Sequence, residues 1–171
     1  MADIHIDDFC RDVALVLVTL YNAFPRRHTI YVEDISGPDE PDEVGLHSAR
    51  FHACLGAMLW LAEEGYLRYE SLVYREGIDQ AVLTNKTFVI LSASSDVRFD
   101  DPIDPSLPES VALEKQTLIS QVRAALRSGS SRNTTQIIRY FMSQQPMRLQ
   151  PPDAGAWRPD NHLLGPKEED V

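Results

Sequence analysis

The side chains with the most chemistry to offer are two cysteines, two histidines and several paired acids, and their spacing decides what each can do. Cys10 and Cys54 lie far apart in apolar surroundings. A cysteine attacks as its thiolate, which needs a base or a cation beside it. Cys54 falls on the expected core face of a helix and Cys10 has no base close in sequence, so neither is expected to be a nucleophile. No Cys-x-x-Cys is present to frame a structural zinc site. His47 and His52, at about 100° per residue, stand about 140° apart around a helix, too far round to share a metal ion. The eight glycines form neither G-x-G-x-x-G nor a phosphate loop ending in Gly-Lys-Ser/Thr. Asp7-Asp8 and Glu63-Glu64 read as a helix start and a helix end. No catalytic residue, metal ligand or cofactor is therefore expected, and the chain does not read as an enzyme.

The remaining polar residues offer binding. Asp39, Glu40, Asp42 and Glu43 put four negative charges into five residues, broken by Pro41 and preceded by Gly37-Pro38. Such a run reads as a solvated loop, and it lacks the alternating ligands and turn glycine of a calcium loop. His47, Ser48 and Arg50 follow at the start of a long apolar segment. Arg75 stands in a turn between two β-rich runs, and Arg123, Arg127, Arg132 and Arg139 collect in the C-terminal third.

Helical spacing supplies the elements that carry these residues. From Ile6 to Phe24, the residues Phe9, Val13, Val16, Leu17, Leu20 and Phe24 make one face, with Asp7 or Asp8 as the cap and Pro25 as the stop. Ala14, Leu15 and Val18 make this helix apolar on more than one side. Thr29 to Val32 favour a short strand, passing into a helical turn near 33–36. The long helix covers 45–64, with Phe51, Cys54, Leu55, Met58, Leu61 and Ala62 toward the core. Its other face is Ala49, Ala53, Gly56, Ala57 and Trp60. Small residues there admit a close backbone, and a tryptophan is a common anchor. That face is covered either by a later helix or by a partner.

Gly65 ends the long helix, and 66–70 with 80–83 make a hairpin turned at Gly77. KTFVILSA follows as a helix or a strand, capped by Thr84 or Asn85. A Pro- and Asp-rich linker occupies 96–110. One helix is then expected over 109–127 and another over 134–145, with an irregular tail over 146–171.

Helix, short strand, acidic connector, long helix ending Leu61-x-Glu63-Glu64-Gly65-Tyr66-Leu67, hairpin and Leu83-Thr84 together resemble the winged-helix family of prokaryotic regulators. The likeness covers residues 6–93, about half the chain. It implies a mainly α fold with a small β-hairpin: a winged-helix domain over 1–95, the linker, C-terminal helices for packing or dimerisation over 111–145, and the tail. The clear helix that such regulators place before the long one is replaced by the short 33–36 segment and the acidic loop.

Composition weighs the uses of that scaffold. The chain has 171 residues, 43% hydrophobic, with a formal net charge of -10. Residues 1–107 carry 8 basic and 19 acidic side chains, a net of -11, whereas 108–150 carry a net of +4 and 151–171 a net of -3. Phosphate attraction supplies most non-specific DNA affinity, and the half that would read DNA repels it. The leading expectation is a non-catalytic protein–protein interaction module, a homodimer or a subunit of a larger assembly. Its surface would be Ala49, Ala53, Gly56 and Trp60 with Asp39, Glu40, Asp42 and Glu43. The alternative is a DNA-binding transcriptional regulator reading with His47, Ser48, Arg50 and Arg75. A second alternative is an acidic mimic of DNA that binds a nucleic-acid-handling protein. Arg123, Arg127, Arg132 and Arg139 would be an accessory basic surface, or would meet the acidic half. Asp3, Asp7 and Asp8 stand where a signal peptide is basic, and Val13 to Leu20 is well short of the roughly 20 residues that span a bilayer. A cytoplasmic protein without membrane contact is expected.

Overall fold

In a computed structural model that describes residues 4–99 and 101–144, the chain is mainly helical with a small antiparallel sheet. Helix α1 (Ile4–Ala23) is its central rod. It begins before Asp7 and Asp8, so neither caps it; Asp7 lies in the first turn and accepts a 2.7 Å hydrogen bond from Thr135 Oγ1. Past its first turn, the helix buries apolar residues on several sides. Cys10, Val13, Ala14, Val16, Leu17 and Leu20 are buried, between α3 (Ala49–Glu63) on one flank and α6 (Leu118–Ser128) with α7 (Ser131–Ser143) on the other.

Strand β1 (His28–Tyr31) leads directly into a short helix, α2 (Val32–Ser36). After α3 come β2 (Leu67–Arg68), β3 (Ser71–Val73) and β4 (Gly77–Leu83). Both β2 and β3 pair antiparallel with one edge of β4, and β1 pairs with the other. The first strand thus joins the hairpin in one sheet. Gln80, at φ 53°, is the extra residue where the β1–β4 register shifts. Gly77 is not the turn residue. It opens β4, where a Cβ would lie 2.3 Å from the carbonyl oxygen of Ile30, so only glycine lets β1 close up. The turn itself is Tyr74 and Arg75, both in the left-handed region, closed by Glu76 N–H on the Val73 carbonyl at 2.7 Å.

The Leu83-Thr84 pair latches the hairpin to the end of α3. Thr84 Oγ1 donates to the Gly65 carbonyl at 2.8 Å and accepts the Thr87 N–H, capping α4 (Asn85–Ser92). Thr87, fully buried, donates to the Tyr66 carbonyl at 2.6 Å. The KTFVILSA segment is thus helical, and its cap is also a tertiary contact.

Farther on, the structure departs from expectation twice. The single helix expected over 109–127 is two, α5 (Glu109–Gln116) and α6, broken at an extended Thr117. Ser95 N–H bonds the Gln116 carbonyl at 2.9 Å and Leu118 N–H bonds the Ala93 carbonyl at 3.0 Å, so pairing with 93–95 pulls the chain out of its helix. The expected linker is also tied down. Gln121, buried, receives Phe99 N–H at 3.2 Å and donates to the Val97 carbonyl at 3.1 Å, while Phe99 packs on Tyr140. One core results, in which Ile137, Ile138 and Phe141 of α7 are fully buried with the residues of α1. At about 1.5–3 kcal/mol for each such side chain, the C-terminal helices are part of the domain's stability and not an appended unit. The tail expected over 146–171 lies outside the described residues. Among the described residues, no helix is long and apolar enough to cross a membrane.

Candidate interaction surface

The N-terminal half of α3 brings most of the expected site residues to one place. Ser48 caps the helix, its Oγ accepting Phe51 N–H at 3.2 Å. The acidic loop before it is partly self-organised. Asp39 accepts from His47 Nδ1 at 2.8 Å and from Ser48 N–H at 3.3 Å. These contacts, the Ser48 bonds first, hold its carboxyl below the usual range. Asp42 accepts Val44 and Leu46 N–H at 3.0 and 2.8 Å. Two of the four loop acids therefore build the loop, and Glu40 and Glu43 remain exposed. The His47 ring stacks on Phe51, with centroids 3.8 Å apart. Of the residues expected to read DNA, His47 and Ser48 thus both have structural work.

Arg50 is committed more firmly. Its two terminal nitrogens donate to both carboxylate oxygens of Asp12 at 2.5 and 2.6 Å, with Asp8 at 3.9 Å. Asp12 is 1% exposed, within the helix face that packs on α3. These carboxylates, Asp12 foremost, hold the guanidinium above its ordinary pKa. To reach a base edge, Arg50 would have to leave a buried charge behind. Cys54 lies beside the pair and has no exposure. Burial, with the Asp12 charge added, pushes its thiol up to about 12, as suits an inert core thiol. Asp12 was absent from the expected site. Its signal was an acid inside an apolar stripe, opposite a helix whose one cation is Arg50.

The outer face of α3 is divided differently from the expectation. Ala49, Ala53 and Gly56 are exposed, as expected, but Ala57 is buried in place of Leu55 and Ala62, which are half-buried. Trp60 is no free anchor: it meets Phe9 edge-on at 5.3 Å and Tyr66 at 6.1 Å, so the chain covers much of its ring. What stays open is a groove of about 200 Å³ between the starts of α1 and α3, where Ile4, Phe9, Ala49 and Ala53 adjoin His5, Asp8 and the Asp12–Arg50 pair. Ile4 is 73% exposed at its edge. On the other side of the first turn of α3, a cavity of about 430 Å³ is lined by Glu33, Asp34, Asp39 and Glu76 around His47 and Tyr31.

The four C-terminal arginines do not form one basic surface. Arg123 donates to the Asn22 side chain and lies over the Tyr21 ring, at the C-terminal end of α1. Arg139 acts electrostatically on Cys10, near the N-terminal end. Twelve residues of helix separate Cys10 from Asn22, which is about 18 Å at 1.5 Å per residue. Arg127 and Arg132 are exposed, on α6 and α7. Arg75 is exposed at the hairpin tip beside Tyr74, which is 91% exposed. Among the described residues, no group of three or more His, Cys, Asp or Glu side chains is placed to hold a metal ion. Compared with protein-family models, with curated protein sequences and with solved structures, the chain matches none.

Proposed function

We propose that this protein is a non-catalytic interaction module of winged-helix type, assembling with a second copy or with another protein subunit through the open groove of α1 and α3. The order α1, β1, α2, α3, then a β-hairpin supports the winged-helix reading. One observation carries the choice of partner. The first turn of α3 is the part that a DNA-reading winged helix inserts into the major groove. Here its cation closes onto buried Asp12, and a cavity lined with four carboxylates lies beside it. Phosphates would be repelled where they need to be held. An apolar knob from a partner fits the groove of Ile4, Phe9, Ala49 and Ala53, with basic residues alongside meeting the acidic cavity.

Sedimentation across a concentration series tests this, since the chain alone weighs 19.3 kDa. Wild-type protein is expected to give a higher mass, or to retain a partner subunit from its native lysate. Ala53→Glu, at an exposed position, is expected to abolish either. A monomer that captures no partner, or an association untouched by Ala53→Glu, refutes the proposal.

The hairpin tip favours a second reading, DNA binding through the wing. Tyr74 and Arg75 hold left-handed backbone usually left to Gly or Asn, a strain of about 1 kcal/mol or more each, and strained exposed residues often mark functional contacts. A gel shift that weakens steeply with salt and is lost on Arg75→Ala would establish that reading instead.

A further inference from the structure

A third cavity belongs to neither reading. It lies between Arg98, the 101–104 segment and helices α5 and α6 and encloses about 450 Å³, within the range of small-molecule sites. One wall is a single stripe of α6, Ser120, Arg123, Ala124 and Arg127, at helical positions i, i+3, i+4 and i+7. Ile103 and Val111 give it an apolar side.

Two of its cations, Arg123 and Arg127, have no acidic partner among the described residues. Arg123 touches only neutral groups, the Asn22 amide and the Tyr21 ring. The Arg127 side chain makes no hydrogen bond or ion pair among the described residues. Two cations four residues apart on one helix face repel each other. They do so in a chain with 26 acidic and 16 basic side chains, where acidic partners are plentiful. Asp101, Asp104 and Glu114 line the same cavity, yet none comes within ion-pair distance of either arginine. Asp104 is instead occupied by Ser106 N–H at 2.8 Å. Guanidinium forks match the oxygens of a carboxylate or phosphate and hold them in two-bonded fashion.

We propose that this cavity binds a small organic anion. Arg123, Arg127 and the Ser120 hydroxyl hold its carboxylate or phosphate, and Ile103, Val111 and Ala124 receive its apolar body. The site stands apart from the α3 groove, so it does not depend on the partner reading.

Phenyl phosphate is a suitable probe, followed by amide NMR and by the thermal midpoint of the full chain. Saturable shifts confined to residues 98–127 are expected, with a dissociation constant of about 1 mM or tighter. Arg127→Gln, at an exposed position, is expected to keep the wild-type midpoint without ligand and to weaken binding at least about tenfold. Ala124→Leu fills the cavity without changing charge and should also remove binding. Arg132→Gln, an exposed arginine on α7, should leave it unchanged. The proposal is overturned if no saturation is reached by about 10 mM, if Arg132→Gln weakens binding as much as Arg127→Gln, or if inorganic phosphate binds as tightly as phenyl phosphate.

Discussion

Replacing Arg50 by Met tests whether the first turn of α3 is built for packing or for contact with a ligand. Met keeps the apolar stem of the side chain and removes the guanidinium, so Asp12 loses both of its 2.5 and 2.6 Å bonds while remaining 1% exposed. Stranding one member of a buried pair costs about 3–5 kcal/mol. The Arg50 side chain is itself 30% exposed, so water can follow it in and the lower end, about 3 kcal/mol, applies. With a urea dependence of about 2 kcal/mol per molar, the unfolding midpoint should fall by about 1.5 M. Asp12→Leu combined with Arg50→Met removes both charges, and the pair should be less damaged than Arg50→Met alone. A midpoint shift under about 0.5 M for Arg50→Met, with effects that merely add in the double variant, would refute the reasoning. Arg50 would then be free to leave Asp12, and the structural objection to base reading would fall with it.

Two further outcomes can be measured on the same protein. Gly77→Ala places a Cβ 2.3 Å from the Ile30 carbonyl oxygen, so β1 must shift from β4; a loss of about 2 kcal/mol or more is expected by urea unfolding, with amide exchange quickened at 28–31. Cys54, raised from an ordinary 9.0 to about 12, stays a thiol in the folded state while the unfolded thiol ionises. Its contribution is therefore fully present below pH 9 and is lost as pH rises from about 9 to about 12. Cys54→Ala should flatten that part of the stability profile, and in the wild type Cys54 should react with maleimide at pH 8 only as fast as the chain opens.

Much of the local structure was legible because it depends on neighbours a few residues away. The apolar spacing of α1, the left-handed Gly65 after α3 and the Thr84 cap are each settled within one or two helical turns. The small exposed face of Ala49, Ala53 and Gly56 was legible for the same reason. Its limits were not. Helix α3 is apolar nearly all round, so spacing alone could not choose its rotation, and contacts with α1 and α2 decided that Ala57 goes inside.

What the tertiary structure decided lies in contacts between distant residues. Asp12 and Arg50 are 38 positions apart, and only the packing of α1 against α3 joins them. That junction turns a candidate base reader into half of an internal ion pair. The break at Thr117 follows from backbone pairing with 93–95, which outweighs the local preference to continue one helix. The basic third of the chain was plain in the sequence, but the line of α1 separates Arg123 from Arg139. Charge and periodicity are properties of the chain; which charges meet depends on how its helices turn and cross.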